Sequence, residues 1–438
     1  MHVSRYLKAK FKSSELFSRI ASGAVWSILG SASAKFLVLV AGILCANILG
    51  SKEYGELGLI RSTVNMFVVF GTAGMGITAT KFISQFRDID NENVSRIYIV
   101  TCLFTTISAI FASALVLFLS PILAEDALHA PHLTSSIRFA SLLLLVTILN
   151  SSYQGTLAGY ENFKRITINT FISSTLEAVL VIIGALIGGI NGALLGYGIG
   201  VAALTLLNFI YARKTLATNA VRVDYGNLRL SDFRILTSFS IPAALSSFLV
   251  VPSYWVVKTL IARYSGFEEL GLYEASDQWR IIILFIPSAL SNIVLPILSS
   301  YIGKEDERTF KGALKINVVL NVGVSLVMAA GVIILSKWIL QTYGPGFDTP
   351  SVLIYLALST VFSSFASVVG MAIVSQGKTW IGLAFNMIWS LNFILFSSIS
   401  LTHGAGATGV AFSLMMAYML HGLFQFIYLW LSVLRNKE

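Results

Sequence analysis

Residues Leu44 to Ser84 recur without a gap 216 positions later, at Leu260 to Ser300. Leu44/Leu260, Ala46/Ala262, Gly50/Gly266, Glu53/Glu269, Gly55/Gly271 and Ser84/Ser300 are identical, and apolar faces apolar in between, as at Val68/Leu284 and Phe82/Leu298. An offset so close to half of 438 residues predicts two copies of one structural unit. Hydrophobic residues make up 56% and charged residues 12% of the chain. Soluble domains carry roughly 25% charge, so the repeated unit is predicted to be a membrane bundle. Paired bundles around a shared cleft are the usual anatomy of secondary transporters.

Twelve apolar runs, each near the ~20 residues a crossing needs, lie between 21–48 and 408–431, with the second at 55–81, the fifth at 166–188 and the eighth at 271–299. The predicted fold class is an all-α integral membrane protein: twelve transmembrane helices in two six-helix lobes related as parallel repeats, with a central cavity between them. The predicted divisions are a basic amphipathic segment at 1–20, an N-terminal lobe at 21–212, an inter-lobe loop at 213–236, a C-terminal lobe at 237–431 and a tail at 432–438. Lys and Arg in alternate loops number 22 on one side and four on the other. The positive-inside rule therefore predicts that both termini are cytoplasmic, and the net charge of +9 faces anionic lipid rather than nucleic acid.

Several motifs mimic chemistry without its context. Gly404-Ala405-Gly406-Ala407-Thr408-Gly409 has G-x-G-x-x-G spacing but joins two apolar runs instead of a strand and a helix. Gly377-Lys378-Thr379 lacks the earlier P-loop glycine, which is Ala372 here. His129 and His132 read as an ordinary outer loop, and Cys45 and Cys102 as packing within spans. No catalytic residue, metal or cofactor is expected, and the chain is not read as an enzyme.

Charges inside spans carry the functional signal, because Lys, Arg or Asp at the bilayer centre costs about 2.5–3.5 kcal/mol on insertion scales. Lys35 sits near the middle of the first run, and Arg61 and Asn65 share a face of the second. These three are the candidate substrate-binding residues of a cationic, anion-attracting cavity. Asp277, Arg280, Lys258 and Glu177 are candidates for a gate or for ion coupling. Arg61 and Asp277 coincide in the repeat, so they are placed to meet across the cleft, while Asp277 and Arg280 are spaced for a local i,i+3 pair. Lys258 can also snorkel outward, and Glu56 and Glu274 lie near enough to the outer surface to be wet. Tyr54, Tyr254, Trp255, Tyr273 and Trp279 read as interface-belt or lipid-facing residues, or as stacking surfaces for sugars.

The stretch Ile48-Leu49-Gly50-Ser51-Lys52-Glu53-Tyr54-Gly55, the Gly71–Gly76 cluster and Tyr153-Gln154-Gly155-Thr156-Leu157-Ala158-Gly159 resemble the polysaccharide transporters of the multidrug/oligosaccharidyl-lipid/polysaccharide exporter superfamily. Ser240-Ile241-Pro242, Gly271 through Trp279, Phe285-Ile286-Pro287 and Leu295-Pro296 extend the resemblance over nearly the whole chain. Within that superfamily the chain is most similar to the Wzx-type flippases of O-antigen. The resemblance implies a bacterial inner-membrane flippase that moves undecaprenyl-diphosphate-linked oligosaccharide from the cytoplasmic to the periplasmic leaflet by alternating access. It also implies a cationic cavity, onto which Lys35 and Arg61 fit by position, and suggests a polysaccharide polymerase and a chain-length regulator as partners. The alternatives are a cation-coupled multidrug exporter of the same superfamily and a non-transporting scaffold for polysaccharide assembly.

Overall fold

A computed structural model describes residues 2–234, 240, 247–291 and 307–434. All regular structure among these residues is helical. The helices are α1 (His2–Thr72), α2 (Met75–Phe86), α3 (Asn91–Ile122), α4 (Thr134–Gly159), α5 (Phe163–Thr218), α6 (Ser247–Ile283), α7 (Glu307–Ile334), α8 (Ser336–Gln341), α9 (Pro350–Ser375), α10 (Thr379–Thr402) and α11 (Gly406–Leu429). Among the described residues, eight stretches are long and apolar enough to cross a membrane. At 1.5 Å per residue the 56 residues of α5 would run about 84 Å if straight, far beyond a hydrocarbon core of about 30 Å. Instead α5 breaks at Gly188 and Gly189, α1 at Gly50 and α6 at Gly266. Each break turns one helix into two crossings, so the helices are compatible with twelve crossings.

The repeat is visible in the backbone. Gly50 (φ 76°, ψ 169°) and Gly266 (φ 88°, ψ 172°) adopt the same conformation, in a region that only glycine enters without strain. The offset of 216 also relates α4 to α9 at both ends, and the start of α5 at Phe163 to the start of α10 at Thr379. The matched glutamates do matched work. Glu269 Oε2 accepts a 2.7 Å bond from the Ala407 amide at the start of α11, where helix N-termini favour an anion. Glu53 reaches the corresponding Gly189 turn of α5, its carboxylate 3.6 Å from where a Cβ would stand.

Two local expectations need correction. The second run, read as continuous over 55–81, is interrupted: Ala73 (φ 41°) and Gly74 (φ 75°) leave the helical region, and α2 resumes to Phe86. The Gly71 carbonyl beside this break accepts a 2.6 Å bond from Ser108 Oγ, so it is not orphaned in an apolar setting. The inter-lobe loop also begins later than 213, because α5 continues to Thr218. At the N-terminus, residues 2–20 are helical and continuous with the first crossing.

Candidate functional site

The halves pack directly against one another at the Gly50/Gly266 end. A Cβ on Gly55 would strike the Phe267 carbonyl, and one on Gly271 the Ser51 carbonyl. Ser51 and Phe267 are themselves 216 apart, so the contact is self-complementary about a two-fold relation, as isologous interfaces are. Polar bonds surround it. Trp255 Nε1 donates to Thr63 Oγ1 at 2.9 Å, and Asn47 donates to the Thr342 carbonyl. Trp279 donates to the Tyr343 hydroxyl (3.1 Å), which donates to Gln278 (3.2 Å), which donates to the Tyr54 hydroxyl (2.6 Å). Three aromatics read from sequence as rim or belt residues thus help fasten one half to the other. Toward the opposite end the halves meet through the Thr78 and Ser240 hydroxyls at 2.7 Å and the tilted rings of Phe70 and Phe248, 5.0 Å apart.

Both halves interrupt their second crossing, at nearby rather than identical repeat positions: at Ala73–Gly74 in one and at Leu284, the counterpart of Val68, in the other. Gly71, two residues before the Ala73–Gly74 break, lies 216 positions before Pro287. Pro287 cannot donate to the carbonyl four residues back, and the helix is interrupted at Leu284 accordingly. Paired Gly/Pro interruptions in corresponding segments are the strongest pointer to a transporter's binding region. The 216 offset made this pair available in the sequence, yet hydropathy alone passes over it. Beside the second interruption, Lys35 Nζ lies 5.9 Å from the centre of the Phe285 ring, bridging the first crossing of one half and the eighth crossing. Lys35 has no ion pair among the described residues.

The other candidates are engaged within their own halves. Arg61 lies 3.8 Å from Glu177 and 4.5 Å from the face of Tyr197. The space enclosed by Val38, Gly42, Arg61 and Glu177 is only about 20 Å³, room for one water. Asn65, one turn on, is exposed. In the C-terminal half, Arg280 Nε meets Asp277 Oδ1 at 2.5 Å, and Lys258 meets Glu274 at 2.8 Å and Asp277 at 3.8 Å. Asp277 and Arg280 are 5% and 8% exposed, Lys258 and Glu274 are half-buried, and each charge of this four-residue cluster faces an opposite one. The local i,i+3 pair is the one formed, and Arg61 and Asp277 do not pair in this conformation. Lys258 points into the cluster rather than snorkelling, because two carboxylates hold it. Glu56 is buried rather than wet, with His132 Nε2 2.9 Å away.

Over 95% of its length the chain superposes on 100% of an inward-facing multidrug resistance MATE family transporter of the MOP superfamily, at TM-score 0.80 and 14% identity. A MOP superfamily transporter from Pyrococcus furiosus with a binding pocket of reversed polarity matches at TM-score 0.71 and 15% identity, covering 96% of each chain. These likenesses establish the two-lobe fold. Among sequence relatives, the EPS I polysaccharide export inner membrane protein EpsE of Ralstonia solanacearum is 22% identical over 92% of both chains. The succinoglycan biosynthesis transport protein ExoT of Rhizobium meliloti is 26% identical over 65% of this chain and 54% of its own. The Lipid III flippase of Escherichia coli is 20% identical over 66% and 69%. The MatE family also matches, over residues 242–399. Residues 20–302, well over half the chain, match the polysaccharide biosynthesis protein family, and the chain is a multi-span membrane protein belonging to it.

Proposed function

We propose that this protein is a flippase that carries an undecaprenyl-diphosphate-linked oligosaccharide from the cytoplasmic to the periplasmic leaflet of a bacterial inner membrane. Units bounded by 21–212 and 237–431 rock against one another, opening and closing the glycine contact at Gly55 and Gly271, with both termini in the cytoplasm. The observation that carries this reading is Lys35, a cation without an ion pair among the described residues, set between the halves beside a helix interruption. An ammonium there attracts the diphosphate as a compact point charge, while Asn65 and a transiently released Arg61 add donors. Glu177 and the Lys258–Glu274–Asp277–Arg280 cluster are the groups on which an ion gradient acts, since one charge crossing the membrane is worth about 2.3 kcal/mol per 100 mV. Family membership and the names of the sequence relatives support a polysaccharide headgroup. A polymerase and a chain-length regulator are the partners that consume such a product.

The test is surface-glycan export in cells whose only copy is a Lys35 variant, at matched membrane levels. Lys35→Arg should retain most export, whereas Lys35→Ala and Lys35→Glu should lose at least tenfold, the equivalent of about 1.4 kcal/mol. Equal export by all three variants would sink the reading. The match of residues 242–399 to the MatE family favours one rival, a cation-coupled multidrug exporter. That rival predicts that deleting the gene raises sensitivity to cationic dyes while leaving surface glycan intact.

A further inference from the structure

The C-terminal half holds an open cavity of about 730 Å³ between α9, α10 and α11. The repeat relates part of its lining to the N-terminal half. There the equivalent positions belong to an amide network: Asn169 donates to Asn208, which donates to Asn150, at 2.8 Å each, and Asn150 reaches Gln154 at 3.4 Å. At the 216 offset Asn150 becomes Ala366 and Gln154 becomes Gly370, and both line the cavity. Two of the four amide side chains have been cut back to a methyl group and a hydrogen, while Asn169 and Asn208 become Phe385 and Phe424. A cavity of this volume falls within the roughly 300–1,000 Å³ of small-molecule sites.

Its lining is polar in places but uncharged. Ser367, Asn386, Tyr418, His421 and Gln425 supply hydroxyl, amide, phenol and imidazole groups, and Trp380, 74% exposed, stands at the rim. No Asp, Glu, Lys or Arg is among the lining residues described. Gln425 is 3% exposed, yet its Oε1 has no hydrogen-bond partner. Leaving such a group unsatisfied costs about 1–3 kcal/mol, so its position calls for an occupant that donates. His421 Nδ1 lies 3.1 Å from the Phe385 carbonyl. A carbonyl only accepts, so Nδ1 carries the hydrogen and Nε2 of the neutral ring is left as an acceptor.

We propose that this cavity binds one uncharged sugar ring. Planar amides and hydroxyls match a ring of hydroxyls, an indole offers its face to the ring's C–H side, and the absence of lining charge disfavours both acidic sugars and metal ions. Lys35 is not among the residues lining the site, so headgroup recognition divides into a diphosphate held between the halves and a neutral sugar held inside one of them. This division rests on the flippase reading; the sugar-binding cavity itself does not.

The test uses the purified full chain in detergent micelles and saturation-transfer NMR with free glucose, galactose and N-acetylglucosamine, against glucuronate. The neutral sugars should give saturation transfer and glucuronate at least tenfold less. Two variants keep the outcome decisive: Gln425→Leu removes the unpaired amide, and Ala366→Asn with Gly370→Gln refills the cavity with the two amides of the N-terminal half. Each should weaken neutral-sugar binding at least tenfold with the thermal unfolding midpoint unchanged. Wild-type binding by the refilled variant, or equal binding of glucuronate, overturns the proposal. If instead deleting the gene leaves export intact while the variants still lose sugar binding, the flippase reading fails and the sugar site stands.

Discussion

Asp277 holds two cations, Arg280 at 2.5 Å and Lys258 at 3.8 Å, at a site where it is 5% exposed. Removing one partner of a buried pair is far worse than removing both, because the survivor is stranded without water. Asp277→Ala should therefore lower stability by about 3–5 kcal/mol, read as a depressed unfolding midpoint in detergent. The double change Asp277→Leu with Arg280→Leu should recover most of that loss, since the 2.8 Å pair of Lys258 with Glu274 remains. By the same geometry, reversing both Arg61 and Asp277 should export no better than the worse single reversal, because their partners here are Glu177 and Arg280. A double reversal that restores export would instead reveal a second conformation in which the two meet. The Asp277–Arg280 pair was legible from sequence because three residues on one helix are neighbours whatever the fold. The pairing of Arg61 with Glu177 was not, because it joins crossings more than a hundred residues apart, and no periodicity encodes which faces meet.

Among the elements, the second crossing of each half is bent twice, once by a glycine where it begins and once within its length. The first bend was foreshadowed by the identical pair Gly50/Gly266, and neither glycine has an atom within 4 Å of an added Cβ. Space is therefore no obstacle to a side chain there, and backbone conformation alone is the constraint. Gly50→Ala and Gly266→Ala should each cost about 1–3 kcal/mol, by a lowered unfolding midpoint. Gly331→Ala is the control: Gly331 has the same open surroundings but lies inside α7. Alanine should leave stability there unchanged or raise it by up to about 1 kcal/mol. If all three behaved alike, the special conformation of the two kink glycines would not be what fixes the turn. The second bend escaped hydropathy because Ala73 and Gly74 sit in a run whose apolarity does not change. Its partner in the other half follows from Pro287, which aligns with Gly71, a residue still inside the helix two positions before the break.

For the molecule as a whole, any motion that parts the two halves at this end has to open the symmetric glycine contact. Self-complementary backbone surfaces at Gly55 and Gly271 separate or close as a unit, and the bonds from Trp255 to Thr63 and from Gln278 to Tyr54 must open with them. Each is a neutral hydrogen bond with a net worth of only about 0.5–1.5 kcal/mol, which suits a seal that is broken in every cycle. The proposed alternating access therefore makes a sharp demand on this end of the protein: it has to come apart for cargo to leave. Thr63→Cys with Trp255→Cys, in a background where Cys45 and Cys102 are replaced by serine, places two thiols across the seal. Joining them with a short bifunctional thiosulfonate should abolish surface-glycan export, and reductant should restore it, while either single cysteine treated the same way exports normally. Full export by the joined protein would show that the seal is a static interface between two fixed bundles, and that cargo takes a route which never parts them.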